Sequence, residues 1–189
     1  MEYRKNDIVT LEIVDCGTDG EGIGKADGFT VFVKDAVIGD TVTAKIMKAK
    51  KNYGYGRLME ILKPSPYRVE PVCPSARQCG GCQLQTVSYE EQKVFKEKKL
   101  RGHLERIGGF CDLPMEPLIG MDEPYHYRNK AQFPVGRNKE GRIITGFYAG
   151  RTHAIIENRD CALGIPQNKE ILDIVIAHME KYGIAPYDE

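Results

Sequence analysis

Three cysteines fall within ten residues in the stretch Cys73-Pro-Ser-Ala-Arg-Gln-Cys79-Gly-Gly-Cys82. Thiolates are soft metal ligands, and the two glycines let the backbone turn tightly between the last two sulfurs. A four-thiolate cage needs one more ligand. Cys161, in Arg159-Asp160-Cys161-Ala162-Leu163, is the candidate, because Cys16 lies far upstream and Cys111 lies between the two parts. Four thiolates can hold structural zinc or an iron–sulfur cluster. Zinc ribbons usually carry two separated Cys-x-x-Cys knuckles, whereas this chain has one knuckle, one Cys six positions before it and one remote Cys. That asymmetry favours a cubane cluster and leaves zinc as the alternative. Cysteines of an ordinary core are the plainer reading. A disulfide framework is not expected, since the chain opens without a secretory signal and cytosolic thiols stay reduced.

The second stretch with chemical potential is Lys45-Ile46-Met47-Lys48-Ala49-Lys50-Lys51-Asn52-Tyr53-Gly54-Tyr55-Gly56-Arg57, with five positive charges, two tyrosines and no acid. Lys and Arg neutralise phosphates, and exposed rings offer faces on which unpaired bases stack. On this chemistry Lys48, Lys50, Lys51 and Arg57 are candidate phosphate contacts, and Tyr53 and Tyr55 candidate stacking platforms. A solvated β-turn is the competing reading. Bulk charge decides nothing, since 27 Lys and Arg balance 27 Asp and Glu. The distribution is more telling. Residues 1–40 hold nine acids and four bases, and residues 41–63 hold six bases and one acid.

The elements that carry these stretches follow from periodicity. Residues 1–63 read as a small OB-like β-barrel of four or five strands. Val9, Leu11 and Ile13 alternate with polar neighbours, Phe29–Val33 is β-branched and aromatic, Val42, Ala44 and Ile46 alternate again, and Arg57–Leu62 makes a last strand. The stretch Asp19–Ala26 fits neither a P-loop nor a dinucleotide fingerprint, and reads as a turn between strands. Pro64, Pro66, Pro71 and Pro74 mark a linker. A helix then starts at a capping box, Ser88 with Glu91. It places Tyr89, Leu100, Leu104 and Ile107 on one side, flanked by Val94 and Phe95, and ends at Gly108-Gly109.

Further on, Arg128–Val135, Ile143–Tyr148 and Ala154–Glu157 read as an antiparallel meander, with Arg128, Lys130 and Gln132 sharing one face of its first strand. Tyr127–Arg159 carries seven bases and two acids, a second basic surface. His126 and His153 have no partners at ligand spacing. A last helix opens at Pro166, closes at Gly183, and has Ile171, Leu172, Val175, Met179 and Tyr182 as its apolar face. The expected fold is thus a β-barrel followed by an α+β domain with an antiparallel sheet. No apolar run is long enough to cross a membrane, and a cytoplasmic monomer without a membrane partner is expected.

The cysteine pattern behind a small barrel resembles that of the RNA uracil-5-methyltransferases, and most nearly their 23S rRNA members. Gly80-Gly81-Cys82-Gln83-Leu84-Gln85, Tyr127-Arg128-Asn129-Lys130-Ala131-Gln132 and Asn158-Arg159-Asp160-Cys161 strengthen the resemblance. It implies that residues 1–63 are a TRAM domain that binds RNA, and that Cys73, Cys79, Cys82 and Cys161 ligate a [4Fe-4S] cluster. It also implies that residues 64–189 are a central domain that helps bind RNA, which adds Arg128, Lys130 and Gln132 to the contact candidates. Members of that family are much longer, and their C-terminal Rossmann-like domain binds S-adenosylmethionine and carries the catalytic cysteine and base. This chain shows no glycine-rich cofactor loop and no cysteine in a nucleophile setting, so no catalytic residue is assigned. The reading is an N-terminal fragment whose central domain is incomplete, and S-adenosylmethionine belongs to the full-length enzyme only. The alternative is a free-standing zinc- or cluster-stabilised RNA-binding protein.

Overall fold

The computed structural model describes residues 3–150 and 152–187. They form two compact units. One comprises Met1–Glu70 and Gln83–Gly120, the other Pro71–Cys82 and Met121–Glu189.

The first unit is built on a closed five-stranded barrel. Its strands are β1 (Ile8–Cys16), β2 (Gly22–Ala26), β3 (Phe29–Lys34), β4 (Thr41–Ala49) and β5 (Tyr53–Lys63), in the spatial order β1-β2-β3-β5-β4. All neighbours are antiparallel except β3 and β5, which run parallel and complete the barrel. The alternation read in the sequence is the alternation of burial. Val9, Leu11, Ile13, Val31, Val33, Val42, Ala44 and Ile46 all point into one core. Each fully buried Val, Leu or Ile contributes about 1.5–3 kcal/mol of transfer free energy. This is the barrel expected from the sequence.

Two barrel expectations need correction. Asp19–Ala26 is not wholly a turn, because Gly22–Ala26 is the strand β2. Its glycines mask the strand pattern but are required by packing. A Cβ on Gly24 would sit 2.3 Å from the carbonyl oxygen of Glu12 on β1. The two-residue loop Asp27-Gly28, with φ of +47° and +83°, then turns β2 into β3, the positive-φ geometry favoured by tight hairpins. The last strand also begins at Tyr53 rather than Arg57, so the tyrosines belong to a strand and only residues 50–52 form the hairpin loop.

Helix α1 (Tyr89–Arg106) completes the first unit. The Ser88 hydroxyl accepts the Glu91 N–H at 3.4 Å, as the capping box predicts. The expected apolar side is only partly covered, with Tyr89 and Leu104 half-buried. Leu100 is 53% and Ile107 81% exposed, and only Gly102 is fully buried. The segment before the helix is tied to the barrel through Asp40. This carboxylate is fully buried, accepts the backbone N–H groups of Val37 and Ser65, and is gripped by Arg68.

The second unit holds a three-stranded antiparallel sheet, β6 (Val135–Arg137), β7 (Ile143–Tyr148) and β8 (Ile155–Glu157), and helix α2 (Gln167–Tyr182). The turn at Asn138 is the one expected. The Asn138 carboxamide oxygen accepts the Glu140 and Arg142 N–H groups, and Gly141 takes φ +81°. The strand expected over 128–135 shrinks to its last residue. Pro134 has no N–H to give a ladder, and residues 126–128 instead bond to 162–164. Helix α2 ends, as expected, with Gly183 in the left-handed region at φ +63°. Its buried face is Leu172 and Ile176, while Ile171, Val175 and Tyr182, expected on that face, are exposed. No helix among the described residues is long and apolar enough to cross a membrane.

Candidate functional site

The outer face of the barrel gathers the basic and aromatic side chains. In the β5 sequence Tyr53-Gly54-Tyr55-Gly56-Arg57, the glycines point inward and the large side chains outward. The core leaves little room beside them, since a Cβ on Gly56 would lie 3.0 Å from Val31 and 3.1 Å from Ala44. Parallel pairing sets Thr30 opposite Tyr53, Phe32 opposite Tyr55 and Lys34 opposite Arg57. Three rings therefore meet. The Phe32 centroid lies 5.8 Å from Tyr53 and 5.6 Å from Tyr55, and the two tyrosines are 5.9 Å apart. On the other side of β5, Lys45 pairs with Arg57 and Lys48 with Tyr55. Tyr53, Tyr55, Lys48, Lys50, Lys51 and Arg57 are all exposed. The register thus sets Lys48, Tyr53, Tyr55 and Arg57 on neighbouring outward positions of β4 and β5, while Lys50 and Lys51 lie in the hairpin loop between them. It adds Phe32, which only the β3–β5 pairing reveals.

Arg128, Lys130 and Gln132 lie in the second unit and are exposed, but on an irregular segment rather than one face of a strand. Nearby in sequence, Tyr148 stacks against His153 at 5.3 Å. His126 shares a 2.9 Å hydrogen bond between its Nδ1 and the Gly164 carbonyl, a structural contact. Arg151 lies outside the described residues.

All four candidate ligand cysteines are in the second unit. Residues 73–79 are wound by turns, with the Cys79 N–H donating to the Ser75 carbonyl at 2.8 Å. Gly80 then passes against the segment after β7, donating to the Tyr148 carbonyl. A Cβ there would lie 3.0 Å from the Gly150 Cα, so any larger residue would have to push that segment back by a few tenths of an ångström. The Gly81 N–H points at the Cys79 sulfur at 3.3 Å, and the Asn158 side-chain amide donates to the Cys73 sulfur at 3.5 Å. Cys73 is buried, and Cys79, Cys82 and Cys161 are half-buried. The donor chemistry fits a four-thiolate group. The sulfurs are thiols, they share one unit, and N–H donors already address two of them. In the conformation described they are not gathered. Among the described residues no three His, Cys, Asp or Glu side chains form a group that could hold a metal ion. Asn158 is a partner that sequence reasoning did not assign, although it stands in the segment that leads to Cys161.

The two remaining cysteines stand apart. Cys111 is exposed. Cys16 is half-buried, and burial, then Glu21 and Asp15, push its thiol up to about 11 against the smaller effect of Lys99.

The fold is that of a small closed five-stranded barrel in a chain that also carries a cysteine-bearing α+β unit. The TRAM domain family matches residues 4–59, which take in all of the barrel but the end of β5. Over nearly its whole length the chain is homologous to proteins called RNA methyltransferases. It is 45% identical over 189 residues to an uncharacterised RNA methyltransferase of Clostridium tetani, covering all of this chain and 41% of that protein. It is 44% identical over 186 residues to another from Halalkalibacterium halodurans, covering 98% of this chain and 40% of that protein. The chain thus spans about two-fifths of the length of the curated relatives it matches. Among solved structures, its fold is similar to part of the Pyrococcus abyssi tRNA (uracil-54, C5)-methyltransferase in complex with S-adenosyl-L-homocysteine. There the TM-score is 0.63 at 22% identity, covering 94% of this chain and 38% of that one.

Proposed function

We propose that this chain is the RNA-recognition and iron–sulfur portion of an S-adenosylmethionine-dependent methyltransferase that makes 5-methyluridine in 23S rRNA. The observation that carries the reading is the similarity of the whole chain, TRAM barrel and cysteine-bearing unit together, to RNA methyltransferases some two and a half times its length. Residues 1–63 bind the RNA through Lys48, Lys50, Lys51, Arg57, Tyr53 and Tyr55. Residues 64–189 form a central domain that adds Arg128, Lys130 and Gln132. The protein works in the cytoplasm as a monomer.

Cys73, Cys79, Cys82 and Cys161 would hold a [4Fe-4S] cluster. A cluster with four protein thiolates and no open iron supplies a cross-link between distant segments of chain. Asn158 and the Gly81 N–H would orient and stabilise the thiolates, as hydrogen bonds to cluster sulfurs do. The methyl donor and the nucleophile belong to the rest of the longer protein. C5 of uracil becomes nucleophilic only after a thiolate adds at C6, and a usable thiolate needs a lowered pKa. Cys16 is pushed the other way.

The test is incubation of the longer protein that carries this sequence with labelled S-adenosylmethionine and unmodified RNA. Label at C5 of a uridine in 23S rRNA is expected. Label in tRNA alone would remove the 23S assignment, and no label in either RNA would remove the enzyme reading. Residues 1–189 alone should label neither.

A further inference from the structure

We propose that Phe32 and Tyr55, whose rings lie 5.6 Å apart at 32°, form a stacking surface for unpaired bases of RNA, with Tyr53 edge-on to both and the phosphate backbone running along β4. The inference rests on the RNA-binding reading above and specifies how this face would engage its partner.

The register makes the platform. Along one row across the sheet stand Asp15, Ile23, Phe32, Tyr55 and Lys48, taken from β1, β2, β3, β5 and β4. The aromatic residues occupy the middle of that row, with an acid at one end and a lysine at the other. The neighbouring rows add Lys25 opposite Thr30, and Lys45 opposite Arg57. Among the described residues none of Lys25, Lys45, Lys48 and Arg57 forms a salt bridge.

Rings with Lys25, Lys45, Lys48 and Arg57 at neighbouring positions suit a ligand that offers flat apolar faces and negative charge together. Unpaired RNA does so, whereas a duplex hides its base faces and shows only phosphate. The asymmetry of the row orients the strand. Phosphates avoid Asp15 and lie over Lys45 and Lys48, which leaves the bases to reach back over Tyr55 and Phe32. Tyr53 and Tyr55 are 37% and 38% exposed, and Phe32 is partly so, which leaves ring surface open to a base.

The experiment measures binding of a labelled single-stranded oligouridine to the 189-residue chain across a salt series, with a duplex of the same length in parallel. Phe32→Leu keeps apolar bulk against its neighbours but has no ring, and Phe32→Tyr keeps the ring. Phe32→Leu should weaken single-strand binding about 5- to 150-fold with the salt slope unchanged. Phe32→Tyr should bind like the parent, and thermal unfolding should show both variants folded. Duplex binding should be weaker and indifferent to Phe32→Leu. Parent-like single-strand binding by folded Phe32→Leu, or an equal loss on duplex, would overturn the platform while leaving RNA binding by the barrel intact. Failure of the parent chain to bind either RNA would overturn the broader reading as well.

Discussion

Arg68 donates from both Nε and Nη2 to the two carboxylate oxygens of Asp40, with the Nε to Oδ1 distance at 3.1 Å, and joins the segment after the barrel to the β3–β4 connection. The second guanidinium nitrogen also donates to the Asp35 carbonyl at 2.9 Å. Burial opposes a charge on Asp40, but Arg68 and the Val37 and Ser65 N–H groups outweigh it and hold the carboxyl below its ordinary value. A carboxyl depressed in the folded state adds stability that is fully present above its unfolded value of about 3.9 and fades as pH falls through the lower folded value. Arg68→Ala should therefore cost about 3–5 kcal/mol near pH 7, because it strands a buried charge. The cost should shrink below pH 4. Urea titrations of parent and variant at both pH values measure it, and an equal cost at the two would refute the linkage.

The thiols should hold iron. Protein purified without air is expected to be brown and to carry about four irons per chain. Serine at Cys73, Cys79, Cys82 or Cys161 should lower the iron content, and serine at Cys16 or Cys111 should not. Stoichiometric zinc with no visible absorption, in protein never exposed to air, would decide against the cluster. Asn158→Ala should leave the four ligands in place yet shorten the lifetime of the colour in air, since it removes a donor to the Cys73 sulfur.

RNA binding should weaken with salt, with a log–log slope of roughly −0.7 per phosphate neutralised on a single strand. Alanine at Lys48, Lys50 or Lys51 should each flatten that slope by somewhat under one unit. Tyr53→Ala or Tyr55→Ala should weaken binding by about 1–3 kcal/mol with little change in slope. Parent-like affinity after charge reversal at Lys48, Lys50, Lys51 and Arg57 together would return this face to plain surface.

Cys16 should be a sluggish thiol. With its pKa pushed up to about 11, only ~0.1% is thiolate at pH 8, and thiolate is the reactive form. Alkylation by iodoacetamide should be far slower at Cys16 than at exposed Cys111, and should still be accelerating at pH 10. Mass-resolved labelling of the two cysteines over pH 7–10 reads this directly. A plateau for Cys16 below pH 9 would contradict the burial effect.

Much of this molecule was legible from sequence because its signals are local. Alternation in Ile8–Cys16, Phe29–Lys34 and Thr41–Ala49 is the burial pattern of a barrel wall, and the Ser88–Glu91 box and Gly183 mark helix ends by their own backbone chemistry. The grouping of Lys48 with Tyr53 and Tyr55 was legible too, since one hairpin carries them all. What tertiary structure alone decided is non-local. The strand β2 was hidden because its glycines are dictated by the close approach of β1, which no neighbour in sequence announces. The exposed sides of α1 and α2 follow from which partners the helices meet, not from their periodicity. Phe32 joins the tyrosines only because β3 and β5, separated in sequence by β4, pair in parallel to complete the barrel. Pairing register between distant strands is set by how the whole core packs, and so the third ring of the aromatic cluster emerges only from the folded barrel.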